Sequence, residues 1–170
     1  MKHAKVSEFW NYSNEIVDRM RVEGVICSVV NKKGEFNLIT LGWGLIGYGY
    51  HGNPIFTIAI TPLRYSWTFI EEVPEFVIGV PDDSLKEKAK LCGTISGRDA
   101  DKFKIANLTP AQGMFVKAPL IRECPINIEC KVYTKVYPPH MLLTPEHRKR
   151  PIEEQHTIYF AEVLGIHVKD

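Results

Sequence analysis

The sequence predicts a mainly β fold, an antiparallel barrel or sandwich with short helices covering its ends. Three observations point there. Twelve glycines and 11 prolines in 170 residues supply many tight turns. Several stretches alternate apolar and polar residues with the two-residue period of a half-buried strand. Neighbouring runs are joined by hairpin signals, so the strands run antiparallel. A hydrophobic fraction of 45% with 11% aromatics excludes a disordered chain, and the length fits one domain over 1–170.

Residues 7–20 read as an N-terminal helical arm, with Ser7 as N-cap and an apolar face of Phe9, Trp10, Ile16, Val17 and Met20. Val25 to Val30 is a continuous apolar and β-branched run suited to a strand buried on both faces. Asn31-Lys32-Lys33-Gly34 turns it into a partner strand over Glu35 to Leu41, with positive φ expected at Gly34. From Ile55 to Thr61, Phe56, Ile58 and Ile60 share one face. From Ile126 to Val136, Ile126, Ile128, Cys130, Val132 and Val136 point inward, while Asn127, Glu129, Lys131, Tyr133 and Lys135 face solvent or a partner. His156 to Val168 is a third long strand. Short helices are expected near 63–72, 83–92 and 99–106, and 138–155 reads as an excursion between two strands containing a helical turn.

Charge and cysteine usage narrow the function. Lys+Arg 21 against Asp+Glu 20 leaves a net charge of +1, which argues against a nucleic-acid binder. The N-terminus lacks an apolar signal core and no apolar run approaches a membrane span, so a cytoplasmic, non-membrane protein is expected. Cys27, Cys92, Cys124 and Cys130 form no CxxC pair and the six histidines no HExxH spacing, so reduced thiols and no metal site are expected.

Three segments carry candidate chemistry. Gly42, Gly44, Gly47, Gly49 and Gly52 crowd eleven residues, and Gly42-Trp43-Gly44-Leu45-Ile46-Gly47 formally satisfies G-x-G-x-x-G. The stretch from Gly47 to Pro54 cannot open a helix and Thr61 to Thr68 holds no acid, so a dinucleotide fold is rejected. The segment reads either as a loop turning a barrel corner or as backbone shaped to meet a flat or anionic ligand, with Trp43, Tyr48 and Tyr50 beside it. In Thr61-Pro62-Leu63-Arg64-Tyr65-Ser66, Thr61 is placed as N-cap and Pro62 as the first helical residue. The helix start, the Arg64 guanidinium and the Ser66 hydroxyl then make a phosphate site, against the alternative of a surface arginine on a capped helix. In Cys92-Gly93-Thr94-Ile95-Ser96-Gly97-Arg98-Asp99, Gly93 is expected to end one helix, and Ser96 or Asp99 to cap the next, leaving Ser96 and Gly97 in a tight loop. Cys92 at a helix end sits in the wrong field for a reactive thiolate.

These stretches, with Asn37-Leu38-Ile39-Thr40-Leu41-Gly42-Trp43, Asp101-Lys102-Phe103, Ala118-Pro119-Leu120-Ile121, Glu123-Cys124, Glu129-Cys130 and His156 to Val163, resemble the flavin reductase-like family. These are the FMN-binding split barrels, and the likeness is to the flavoredoxin-type branch, running from about Gly24 to Val168. The resemblance implies a six-stranded antiparallel split barrel and a homodimer with the flavin at its interface. It implies that Asn37, Thr40, Gly42 and Trp43 line the flavin ring and ribityl chain. Arg64, Tyr65 and Ser66 would hold the phosphate, with Ser96, Gly97 and Lys102 approaching from a second loop. His156 matches a family histidine near flavin and nicotinamide and is the catalytic candidate. Thr61 stands where relatives often carry arginine, so one phosphate contact is missing by this comparison. The activity implied is hydride transfer from NAD(P)H to FMN, prosthetic or exchangeable, with electrons passed to a further acceptor. Two other readings stand beside it: a bound-FMN electron carrier that never meets NAD(P)H, and a β-barrel binding module without flavin.

Overall fold

The computed structural model describes residues 1–49 and 52–169. Among the described residues there are ten strands: β1 (Lys2–Ala4), β2 (Val25–Val30), β3 (Phe36–Leu41), β4 (Gly44–Tyr48), β5 (Pro54–Ile60), β6 (Glu75–Val80), β7 (Pro110–Ala111), β8 (Leu120–Ile121), β9 (Ile126–Val136) and β10 (Thr157–Val168). The helices are α1 (Ser13–Val22), α2 (Tyr65–Glu72), α3 (Lys86–Thr94), α4 (Lys102–Ile105) and α5 (Pro145–Arg148), with 3-10 segments at Val6–Tyr12, Asp83–Leu85 and Ile152–Glu154. The expected mainly β class with short helices is present.

The main sheet follows the order β3-β2-β6-β9-β10-β5-β4, with β1 added on β10, so eight strands enter it where six were expected. Every pair is antiparallel. β3 and β4 end the path on opposite edges, yet only Gly42 and Trp43 join them. Three virtual bonds reach no further than about 11 Å, so the sheet curls until its edges nearly meet. The barrel is split along that seam.

The inward faces are those the alternation predicts. Phe56, Ile58 and Ile60 of β5, Ile126, Ile128 and Cys130 of β9, and Val25, Cys27 and Val29 of β2 join one core, which Phe9 and Ile16 of the N-terminal arm also enter. Each such side chain contributes about 1.5–3 kcal/mol by leaving water, which fixes the register. β2 is buried along its whole length, as its β-branched run suggests. Its outer side, with Leu38, meets a second cluster from α3, α4 and Leu108. Gly34 takes φ +81 in the β2–β3 turn, as expected.

Several local expectations change. The arm begins as a 3-10 turn capped at Lys5, and its α-helix starts only at Ser13, so Ser7 is not the cap. Asn127 and Glu129 do not face solvent. Both are buried, because the connection from β7 to β9 folds over them. Asn127 Nδ2 donates to the Ile121 and Cys124 carbonyls, and its Oδ1 accepts from Ile121 N–H. Glu129 accepts from the N–H groups of Met114, Phe115 and Val116 at 3.0, 2.8 and 2.9 Å, and from His167 Nε2. The alternation of β9 reads buried polar groups as solvated ones because a strand's second face can be covered by a loop.

Candidate functional site

The Gly-rich segment is not one open loop. Gly44 to Tyr48 forms β4, an edge strand paired with β5 from Gly44↔Ile58 to Tyr48↔Pro54. A β-carbon on Gly44 would stand 2.9 Å from the Thr57 carbonyl oxygen and 3.1 Å from Met20 Sδ, so that glycine lets β4 lie against its neighbours. Tyr48 stacks on Trp10 at 4.5 Å, at the far end of the strand from Trp43. Tyr50 lies outside the described residues. Of this segment, Gly42 and Trp43 line a cavity at the seam between β3 and β4.

The Thr61–Ser66 segment is also displaced from its expected frame. Arg64 N–H donates to the Thr61 carbonyl at 3.0 Å, closing a turn. α2 therefore begins at Tyr65 with Arg64 as its extended N-cap residue, and Thr61 and Pro62 lie before the helix. The shift puts Arg64, Tyr65 and Ser66 on the positive end of α2. Gly93 lies within α3, whose C-cap is Ile95. A β-carbon there would meet Thr40 Cβ at 3.2 Å, so Gly93 serves the close approach of α3 to β3. Asp101, not Ser96 or Asp99, caps α4, accepting from the N–H groups of Phe103 and Lys104.

The seam opens into two adjoining cavities that share Ile39, Leu63, Arg64 and Gly93. The larger, about 490 Å³, has Thr40, Gly42, Trp43, Thr61, Glu154 and His156 on its walls. The smaller, about 220 Å³, is lined by Asn37, Tyr65, Ser66, Ser96, Gly97, Arg98 and Lys102. The eleven residues that the resemblance assigns to the flavin site all lie on this one cleft, whereas Tyr48 does not line it. Arg98, Gly93 and Glu154 join them. Arg98 shares the Ser96–Gly97 turn, so its position was readable; nothing in the excursion's sequence pointed to Glu154.

Their roles differ. Asn37 is buried, its Nδ2 donating to Ser66 Oγ at 2.9 Å, which leaves the Ser66 hydroxyl hydrogen as that group's remaining donor. Thr40 Oγ1 donates to the Ala89 carbonyl and fixes α3 on β3. These two shape the cleft more than they offer donors to it. Lys102 is 6% exposed, and its Nζ donates to the carbonyls of Leu38 and Cys92, each at 2.7 Å. An ammonium has three donors, so one remains. Burial pulls Lys102 below its usual value and Arg64 adds to that, while Cys92 opposes it. The Arg98 guanidinium sits 5.0 Å from the centre of the Tyr65 ring and donates to the Leu63 carbonyl.

The smaller cavity thus gathers Arg64, Arg98, Lys102 and a hydroxyl, with no carboxylate on its walls. Three cations around one recess, Lys102 buried and Arg64 and Arg98 exposed, call for an anion with several acceptor oxygens. The larger cavity has a different character. The Trp43 indole and the His156 imidazole lie 5.9 Å apart, tilted by 37°. Burial first, then Arg150, Arg64 and His140, hold His156 below the ordinary imidazole value, so it is neutral at pH 7. The four cysteines are buried and unpaired, and burial raises their thiols, Cys92 to about 11. None of them is a thiolate at neutral pH.

Comparison with known proteins adds three kinds of likeness. The sequence model described as flavin reductase like domain matches residues 21–170. An uncharacterized protein of Archaeoglobus fulgidus is 38% identical over 109 residues, 64% of this chain and 53% of that protein. Another from Pyrococcus abyssi is 38% identical over 86 residues, 50% of this chain and 49% of that one. The chain spans about half the length of these relatives. Among solved structures, flavoredoxin of Desulfovibrio vulgaris (Miyazaki F) superposes with a TM-score of 0.69 at 23% identity, over 86% of this chain and 69% of that one. Nitrilotriacetate monooxygenase component B from Bacillus cereus gives 0.70 at 16% identity, over 100% and 82%. A putative flavin reductase with a split barrel domain from Shewanella frigidimarina gives 0.69 at 16%, over 100% and 81%. These three likenesses establish the split-barrel fold.

Proposed function

Because the chain belongs to the flavin reductase-like family, we propose that it binds FMN along the seam and works as an FMN-dependent NAD(P)H oxidoreductase. The observation that carries the reading is the acid-free recess holding Arg64, Arg98 and the buried Lys102, continuous with a wider cavity walled by Trp43. A phosphate would meet Arg64, Ser66 and Lys102, and the ring and ribityl chain would run past Asn37, Thr40, Gly42 and Trp43. Gly97 fits the same picture. A β-carbon there would press on the Asn37 carboxamide, 2.7 Å from its Cγ, so the loop can approach the recess only as glycine. When bound, FMN supplies a ring that accepts a hydride and gives up electrons singly or in pairs. The protein needs no nucleophile of its own. Its residues would bind the anion, shield one ring face with the Trp43 indole and keep a neutral imidazole, His156, beside that indole. Leu63 and Trp43, 58% and 50% exposed, form an apolar rim that a second copy of the chain would cover, in line with a homodimer.

Protein reconstituted with FMN and kept anaerobic should lose its flavin colour on addition of NADH or NADPH alone. A flavin that binds but keeps its colour until a reductase protein is added would replace this reading with the electron carrier.

A further inference from the structure

A third cavity, of about 400 Å³, lies behind the same two rings. The excursion 138–155 roofs it, and Trp43, His140, Leu142, His147, Arg150 and His156 line it. The geometry points to a binding site for a one-ring aromatic carboxylate, held by the Arg150 guanidinium and seated against the Trp43 indole.

The local bonding explains why Arg150 is the free group. His140 Nε2 donates to the His156 carbonyl at 2.6 Å, and the His140 backbone N–H donates to Gln155 Oε1 at 2.8 Å. Gln155 Nε2 donates to the Arg150 carbonyl, and Arg150 N–H donates to the His147 carbonyl. His147 Nδ1 is bonded to Thr144 Oγ1 at 2.8 Å. The backbone on both sides of Arg150 is therefore fixed, while its guanidinium has no carboxylate within ion-pair distance among the described residues. No Asp or Glu lines the cavity. Glu154, three residues on from Pro151, faces the larger cavity instead.

Size and shape select the ligand class. The volume suits a small molecule and is too small for a dinucleotide. A guanidinium takes a carboxylate through two parallel N–H donors, and Trp43, His156 and Leu142 offer flat or apolar surface to the ring behind it. A bare phosphate would gain nothing from the indole. The cavity's claim on a carboxylate is independent of FMN. That the acid would be a redox partner rests on the flavin reading, since Trp43 and His156 wall both cavities.

Calorimetric titration of the full chain with benzoate, as purified and again with added FMN, tests this. Benzoate should bind saturably, benzamide and acetate at least tenfold more weakly, and cyclohexanecarboxylate between them. Arg150→Gln should weaken benzoate at least tenfold and Arg150→Lys less so, while Lys149→Gln, which removes the same charge one residue away, should change it less than twofold. FMN binding should survive Arg150→Gln, so loss of flavin binding and loss of acid binding are separate results. No benzoate binding, equal binding of benzamide, or equal effects at 149 and 150 would overturn the site.

Discussion

Outside the cleft, Glu129 is fully buried beneath the connection from β7 to β9. Burial alone would raise its carboxyl, but His167 and the N–H groups of Met114, Phe115 and Val116 more than offset that and bring it down to about 2 from an ordinary 4.5. A depressed carboxyl stabilises the folded state in full above the unfolded value, and the contribution is lost as pH falls toward the folded one. Glu129→Gln should therefore cost about 3 kcal/mol at pH 7 by denaturant unfolding. The gap to wild type should narrow as pH drops from 4.5 toward 2, and a gap that stays constant would contradict the assignment. None of this was legible in the sequence. Glu129 sits in a polar position of a clean alternation, and only the loop folding back over β9 makes it a buried anchor. The cationic residues were more readable, because Arg64 and Lys102 follow turn and capping residues that mark where backbone donors collect.

At the scale of elements, the strands with full alternation were legible to within a residue, since one missing contact in a buried face is costly. β4 was not. Its glycines at 44 and 47 hide the two-residue period, and the sequence reads as loop where the structure has an edge strand. Helix starts differ from the capping pattern for a related reason. Thr61-Pro62 is a good cap sequence, yet the turn that Arg64 N–H closes on Thr61 satisfies that backbone and delays α2. The Ser96–Gly97 turn carries its own prediction. Gly97→Ala would drive a methyl into the Asn37 carboxamide and break its bond to Ser66. The change should destabilise the protein by about 1–3 kcal/mol in thermal or denaturant unfolding and weaken FMN measurably. An alanine variant with unchanged stability and flavin affinity would show that the loop is free to move.

For the whole molecule, the family resemblance conveyed the split barrel, while local pattern conveyed only a barrel or sandwich. Strand order is the missing information, because it depends on which buried faces pair and on the short Gly42–Trp43 link that draws the sheet's two edges together. The seam places an indole, a neutral imidazole and three cations around one cleft without a reactive side chain among them. Such an arrangement suits a cofactor that carries the chemistry itself. Equilibrium titration of the protein with FMN, monitored by flavin fluorescence, tests this most directly. Binding should be saturable, and Arg64→Ala should weaken it by about 1.5–3 kcal/mol, the worth of a hydrogen bond to a charged group. Absence of binding, or an Arg64→Ala variant that binds as tightly as wild type, would contradict a flavin site at the seam.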